Sequence, residues 1–374
     1  MCDGIENNLI SGVNTYTSMK VLFLFSRPRK EQERKFLQGK GHDNHFIGMF
    51  RLRKHGIETA YLEPEQYLSP AMAKLWRRAF NIWWMHVPFF PVLLRYDVIF
   101  AGGAYGALLM KAIFGIKHPK WVIYDANITG TIGDAKSIRQ KVFKWAVAHC
   151  DGIVALSQSE EDDLRKMFPH LASHIQFFYE GVDTDFFKPA NFPEEEYITS
   201  VGLDPGRDFK TLIEAVRGLQ ITLKVASKPE RFAAYSPLPE NVDVRLYTHE
   251  EIHELYARAK CVVVTLRVRP EYNDSSGTYV VIEARASGKA VIATKTKALL
   301  PYMRDGMDGV FVPTGDVTAL RSAIEDMLAS PEKRIAMGKV AREFVLEHCA
   351  APVYAERLAA YLSNLHEQCV PRKG

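Results

Sequence analysis

Several features are missing from this 374-residue chain. No Cys-x-x-Cys pair occurs, and the five cysteines (Cys2, Cys150, Cys261, Cys349 and Cys369) are scattered and odd in number. That pattern speaks against a disulfide framework and suits a reducing compartment with buried or idle thiols. The first eighteen residues lack a basic start followed by an apolar core, so no secretory signal is expected. The longest apolar stretch, Ala79–Leu94, is shorter than the roughly 20 residues of a membrane span and contains Asn81, His86, Pro88 and Pro91. No low-complexity run or short repeat appears. These absences leave a cytoplasmic chain as the expectation, with peripheral contact at the inner face of the membrane as its extension.

Hydrophobic residues make up 47% and charged residues 25%, the balance of a soluble globular protein, and the length suits two α/β domains. The net charge of +4 hides an asymmetry. Residues 1–150 carry 21 Lys/Arg against 11 Asp/Glu, so the remainder is net acidic. A basic half suits an anionic partner: a membrane surface, an acidic acceptor or a nucleic acid. It is equally compatible with an ordinary basic surface. Lys74, Arg77 and Arg78 precede Trp83, Trp84, Phe89 and Phe90, a pairing of cations and aromatics that suits an interfacial segment or a helix packed on the N-terminal core.

Short β-rich runs alternate with helical patterns. Strands are expected at Val21–Phe25, Ile57–Leu62, Asp97–Ala101, Trp121–Tyr124, Gly152–Leu156 and Ile175–Phe178, with helices such as Ile138–Ala148 and Glu160–Met167 between them. Pro189, Pro193 and the acidic run Glu194–Glu196 mark a linker. The alternation then restarts. Strands are expected at Tyr197–Gly202, Ile221–Ala226, Val242–Tyr247, Cys261–Leu266, Ala290–Thr294 and Val310–Val312. Helices are expected at Phe209–Gly218, Glu250–Ala259, Thr278–Ser287 and Val317–Leu328. This is an α/β chain with two doubly wound, Rossmann-like parallel sheets, which bind ligands at the carboxyl ends of their strands.

The strongest local signal is Ser275-Ser276-Gly277-Thr278, followed by a helix that contains Glu283 and stops at Gly288. A helix N-terminus offers unpaired N–H groups and partial positive charge to a phosphate, and Gly277 permits close approach. Glu283 lies seven residues after Ser276, near two helical turns, so both are expected on nearly the same side. Its flanks Val281, Ile282, Ala284 and Ala286 are apolar, so its carboxylate needs donors, which the hydroxyls of a ribose would supply. An ordinary N-cap and a structural ion pair are the plainer alternatives. Gly202-Leu203-Asp204-Pro205-Gly206-Arg207-Asp208-Phe209-Lys210 follows a strand and supplies two cations, Arg207 and Lys210, that suit a diphosphate or simply cap a helix.

Two further patterns concern metals. His249-Glu250-Glu251-Ile252-His253 matches the zinc-protease spacing, but Thr248 and Glu251 form a capping box, so this reads as the exposed first turn of a helix. His42-Asp43-Asn44-His45 follows the first strand and reads equally as a cleft loop or a plain surface loop. No metal is expected.

The segment from Ser275 to Gly288, with Lys289–Thr294 after it, resembles the donor-site helix of GT-B glycosyltransferases, in particular family 4 of the retaining enzymes. Glu180-Gly181-Val182-Asp183 resembles that family's linker, Ser200–Leu212 its strand and basic loop, and Asp308-Gly309-Val310 its late strand. The resemblance implies a GT-B fold. Residues 19–188 would form an acceptor-binding domain and 189–348 a nucleotide-sugar-binding domain. Within 349–374, the helix around Val353–Leu365 would cross back to the first domain. It implies transfer of a sugar from a nucleoside-diphosphate sugar to an acceptor hydroxyl, with retention and with neither metal nor nucleic acid as partner. Gly202, Arg207, Lys210, Ser275, Ser276, Gly277, Thr278 and Glu283 would face the donor. The family's first acid is replaced by Ser275, so Glu271 becomes the upstream acid to consider beside Asp274. Asp125 stands where the family often has a histidine, and Asn127 follows it, so both are candidates for the cleft. Asp183-Thr184-Asp185 spells a metal motif of other glycosyltransferases but falls in the interdomain turn. A non-catalytic sugar-nucleotide-binding protein, a phosphorylase or an epimerase are the alternatives.

Overall fold

The computed structural model describes residues 18–125, 127–268 and 276–367, apart from the side chains of Ile82 and Asp125. Twelve strands appear among them. The first six are β1 (Lys20–Leu24), β2 (Glu58–Leu62), β3 (Val98–Ala101), β4 (Lys120–Asp125), β5 (Gly152–Ala155) and β6 (Ile175–Phe177). The second six are β7 (Tyr197–Val201), β8 (Thr222–Ala226), β9 (Val242–Arg245), β10 (Val262–Val264), β11 (Val291–Thr294) and β12 (Val310–Val312). The helices of the first half are α1 (Lys30–Leu37), α2 (Met49–Leu52), α3 (Pro70–Ala79), α4 (Asn81–Trp84), α5 (Phe90–Leu93), α6 (Tyr105–Ile113), α7 (Ile128–Ile132), α8 (Ile138–Val147) and α9 (Gln158–Met167). Those of the second are α10 (Phe209–Val216), α11 (His249–Arg258), α12 (Thr278–Ala286), α13 (Val317–Ala329), α14 (Pro331–His348) and α15 (Ala351–Glu367). None of these helices is long and apolar enough to cross a membrane.

The strands build two separate six-stranded parallel sheets, ordered β2-β1-β3-β4-β5-β6 and β12-β11-β10-β7-β8-β9. Strands β3, β5, β7 and β11 are buried along their whole length, because helices cover both faces and the sequence reads as continuous apolar runs. Helix starts follow local chemistry. The Ser137 and Ser157 hydroxyls and the Asp208 and Asp316 carboxylates each accept an N–H of the first turn of the helix they precede.

Alternation sorts the side chains of the first sheet. Leu22, Leu24, Ile99 and Ile153 pack on one face, and Val21, Phe23, Phe100 and Val154 on the other. The second face is closed by α15, whose Tyr354, Leu358, Leu362 and Leu365 are buried against it although the helix follows the second half in sequence. Burying its three leucines contributes at most about 5–9 kcal/mol. The crossing helix thus couples the two halves through apolar burial.

Each sheet has one point where its strand order reverses, between β1 and β3 and between β7 and β10. There the loops leaving adjacent strands diverge to opposite faces and leave a crevice at the carboxyl ends. The expected strand Cys261–Leu266 is shorter in the structure because its end is drawn off into that crevice. The Leu266 N–H is taken by the Thr294 hydroxyl at 3.0 Å, and Leu266 bridges to Arg207.

Candidate functional site

The loop leaving β7 is held tightly by its own half. The Ser227 hydroxyl donates to the Gly202 carbonyl at 2.8 Å, and Arg231 donates to the Asp204 carbonyl at 2.8 Å. Asp208 and Thr265 exchange two hydrogen bonds, Asp208 N–H to the Thr265 carbonyl at 3.0 Å and the Thr265 hydroxyl to the Asp208 carbonyl at 2.8 Å. This places Arg207 inside the crevice, only 3% exposed, with Nε donating to Asp204 at 2.8 Å. Its guanidinium lies directly over Gly202, where an added methyl group would collide with it. Burial opposes ionisation of Asp204, but Arg207 and the Ser276 hydroxyl outweigh it and hold that carboxyl below its ordinary range.

One donor of this buried cation is left over. Nη1 of Arg207 has no hydrogen-bond partner among the described residues. It lies beside Gly277, which precedes α12 with φ +87° and whose added Cβ would sit 3.2 Å from that nitrogen and 3.0 Å from Val264. Only glycine tolerates both the left-handed backbone and the close approach. Gly277, which precedes α12, has no side chain with which to cap it. A buried charged donor and the first amides of a helix therefore converge, an arrangement that suits an anion.

Ser276 and Glu283 have different partners. Ser276 precedes the helix, so helical spacing does not govern it, and its hydroxyl turns back to Asp204. Nor is the Glu283 carboxylate without protein partners. Its Oε1 accepts from Asn44 Nδ2 at 3.1 Å and its Oε2 from the Tyr256 hydroxyl at 3.3 Å. The apolar flanks that suggested a missing donor face the core, while the carboxyl group faces the other half of the molecule. Burial raises its pKa to about 8, against the opposing effects of Asn44, Tyr256 and Arg207.

The remaining candidates fall in different places. Thr278 is buried at the start of α12. Lys210 is exposed on the first turn of α10 and lines a cavity of about 410 Å³ with Asp208, Thr211, Arg267 and Thr314. Asp125 ends β4, with its side chain outside the description, and Asn127 is half-buried just before α7 with its amide folded toward Gly130. Glu271, Asp274 and Ser275 lie outside the described residues. Asp183 of the Asp-x-Asp triplet accepts the N–H groups of Asp185 and Phe186 at 3.1 and 3.2 Å and faces Arg51 at 3.6 Å, a turn-closing role.

Three features were not foreseen. Asn44, only 5% exposed, accepts the Asp183 N–H at 2.8 Å while donating to Glu283, and so pins the first half to the second. Glu180 is buried, with Tyr124 in hydrogen-bonding reach and Oε2 unpartnered, and burial raises its pKa to about 8. The histidine pattern is also rearranged. His249 is not on an exposed turn. Its Nδ1 lies 3.2 Å from Nε2 of His42, whose loop is buried rather than superficial, whereas His253 turns away to the Lys188 carbonyl at 3.0 Å. Burial, then the neighbouring His45 and His249, lowers the pKa of His42 to about 2, and burial, then Arg29, His249 and Arg27, that of His45 to about 3.

Two doubly wound sheets whose carboxyl ends meet across a crevice, with a cation-lined switch point in the second, define the GT-B class of fold. The chain belongs to the glycosyltransferases of that class. Residues 182–344 match the family Glycosyl transferases group 1, and residues 32–186 match Glycosyltransferase Family 4. A GDP-mannose-dependent alpha-(1-6)-phosphatidylinositol monomannoside mannosyltransferase of Mycolicibacterium smegmatis is 32% identical over 119 residues, which is 32% of this chain and 31% of that protein. A D-inositol 3-phosphate glycosyltransferase of Corynebacterium kroppenstedtii is 31% identical over 125 residues, 33% of this chain and 25% of the relative. The match therefore spans a third or less of these relatives' length. Of solved structures, Anabaena Alr3699/HepE in complex with UDP overlays with a TM-score of 0.65 at 17% identity, covering 92% of this chain and all of that one. Sucrose-phosphate synthase from Thermosynechococcus elongatus overlays at 0.69 and 18%, covering 94% and 100%. At such identities the overlays speak for the fold.

Proposed function

We propose that this protein transfers a sugar from a nucleoside-diphosphate sugar to an acceptor hydroxyl, with retention, in the synthesis of a glycolipid or glycoconjugate. The observation that carries this reading is Nη1 of buried Arg207, which has no partner among the described residues and lies beside Gly277 at the start of α12. A buried donor without a partner costs roughly 1–3 kcal/mol, more when charged, and a diphosphate would remove that cost. Negative charge grows on the diphosphate as the glycosidic bond breaks, so a fixed guanidinium and fixed amides stabilise the transition state more than the ground state. Lys210 supplies a weaker, solvated cation further out. Glu283 holds the ribose, with its hydroxyls entering the hydrogen bonds now made by Asn44 and Tyr256. Asp125 and Asn127 border the acceptor side. The leaving phosphate takes the acceptor proton, so neither a separate base nor a divalent metal is required for transfer.

Contact with an anionic membrane would deliver a lipid acceptor. It is supported by Ile138, Val142 and Trp145, exposed at i, i+4 and i+7 of α8 among Arg139, Lys141 and Lys144, and by exposed Met72 and Leu75 on α3.

The test is donor titration, with UDP-glucose and GDP-mannose as probes, followed by product analysis with and without acceptor. Glu283→Ala should lose donor affinity, and Glu271→Ala should lose less. Wild-type affinity in Glu283→Ala together with loss in Glu271→Ala would show that the ribose site has been misplaced. Binding without turnover would favour a sugar-nucleotide-binding protein instead, and turnover without acceptor an epimerase. Sugar 1-phosphate formed from glycan and inorganic phosphate would mark a phosphorylase.

A further inference from the structure

We infer that His42, His45 and His249 form a binding site for one divalent transition-metal ion of the zinc class, placed at the junction of the two halves. One ligand atom of each ring lies within 4.8 Å of the other two. The pair that is closest, His42 Nε2 and His249 Nδ1, is 3.2 Å apart. Two nitrogens bound at the zinc distance in tetrahedral geometry stand about 3.3 Å apart, so this pair already has the required spacing. Three imidazoles are a donor set of intermediate softness, suited to Zn²⁺, Co²⁺ or Cu²⁺ and poorly suited to Mg²⁺.

The rings converge because the backbone around them is held on every side. Asp43 is tied to Arg51 at 2.6 Å, and Asn44 is clamped to Asp183 and Glu283. Thr248 and Glu251 close a reciprocal cap that sets the first turn of α11, where His249 sits. The His42 and His249 rings stand nearly perpendicular, at 88°, and Phe186 and Phe187 pack against His42. A hydrogen bond between two neutral imidazoles would account for His42 and His249 but leaves His45 without a reason to join them.

The charged groups facing the cluster are Arg27 and Arg29 toward His45, and Lys35 and Glu250 toward His249. Their net positive charge favours hydroxide or another anion as the fourth ligand. His42 and His45 belong to the loop after β1, and His249 to the second half, so a bound ion would tie the halves together. The His-Glu-x-x-His spacing does not build this site, because His253 is engaged with Lys188. The inference rests on the cluster's geometry and is independent of the transfer reaction.

The experiment uses the full chain without an affinity tag, stripped with chelator and dialysed against Zn²⁺ or Mg²⁺, with bound metal measured by atomic emission. One zinc per chain is expected and no magnesium, with a raised melting temperature in zinc and a tetrahedral visible absorption band on Co²⁺ substitution. His249→Asn and His45→Asn should each weaken zinc binding by more than the roughly 10–100-fold that losing an outer partner costs. Circular dichroism establishes folding, and if one variant fails to fold the other decides. His253→Asn should bind as wild type. Absence of retained zinc in the wild type, retention unchanged in folded His249→Asn or His45→Asn, or loss in His253→Asn would each overturn the site.

Discussion

The two switch-point loops of this protein are stabilised in different ways. The loop after β7 is fixed from within its own half, by hydrogen bonds from Ser227, Arg231 and Thr265 and by the Asp204–Arg207 pair. The loop after β1 is fixed in part by the other half, through Glu283 and His249, and in part by Arg51 and Asp183 of its own. Asn44 reaches Asp183 and Glu283, His42 reaches His249, and Gly48 packs under Tyr354 of α15. One loop is held from within its own half. The other is held in part by contacts across the crevice.

The largest expected effect tests the loop after β7. Arg207→Ala should lower turnover by about one to two decades, the weight of a charge-assisted hydrogen bond acting on developing charge. Gly202→Ala should do the same without touching the guanidinium chemically, because its methyl group occupies the space where that group lies. Steady-state kinetics in which Gly202→Ala keeps wild-type turnover would break the assignment. Lys210→Ala, removing an exposed cation, should cost only several-fold.

The second effect tests the loop after β1. Asn44→Ala removes one partner from Glu283 and one from the Asp183 N–H, and should cost about 1–3 kcal/mol of stability. Denaturant unfolding measures it. A larger loss of turnover than of stability would show that the loop also meets substrate.

A smaller effect depends on pH. Glu180 and Glu283 both have pKa values raised to about 8, chiefly by burial. The folded chain thus keeps protons that the unfolded chain has released, so stability should fall as pH rises through the window between 6.5 and 8. The slope is at most about 1.4 kcal/mol per pH unit for each carboxyl. Melting temperatures of Glu180→Gln and Glu283→Gln across that window should be flatter than those of the wild type. Equal slopes would mean that the carboxyls are ionised in the fold.

The smallest is surface binding. The basic half should sediment weakly with anionic vesicles and release at high salt. Equal sedimentation with neutral vesicles would remove charge from the explanation.

Much of the fold was legible because its signals are local. Apolar runs of four to six residues gave the strands, and Ser, Thr or Asp gave the starts of helices such as α8, α9, α10, α11 and α13. The crevice residues divide along the same line. Gly202, Arg207 and Gly277 stand in short loops next to strands, and the structure brings the three together. The true partners of Glu283 were not legible, since Asn44 lies 239 residues away and has no periodic or motif signal of its own. The His42–His249 contact spans 207 residues, and the sequence offered a false neighbour in His253.

Alternating hydrophobicity and turn chemistry by themselves determined two parallel sheets with helices on both faces, and a glycine-flanked cation at one switch point. Those outcomes depend on interactions between residues a few positions apart, which the order of residues specifies directly. Only the tertiary structure decided which polar groups meet: Asn44 with Glu283 and His42 and His45 with His249 across the crevice, and Tyr124 with Glu180 within the first half. Their meeting depends on how two independently patterned sheets and a returning helix bury their apolar faces. Burial is non-directional and sums over many residues, so no short stretch of sequence encodes the result.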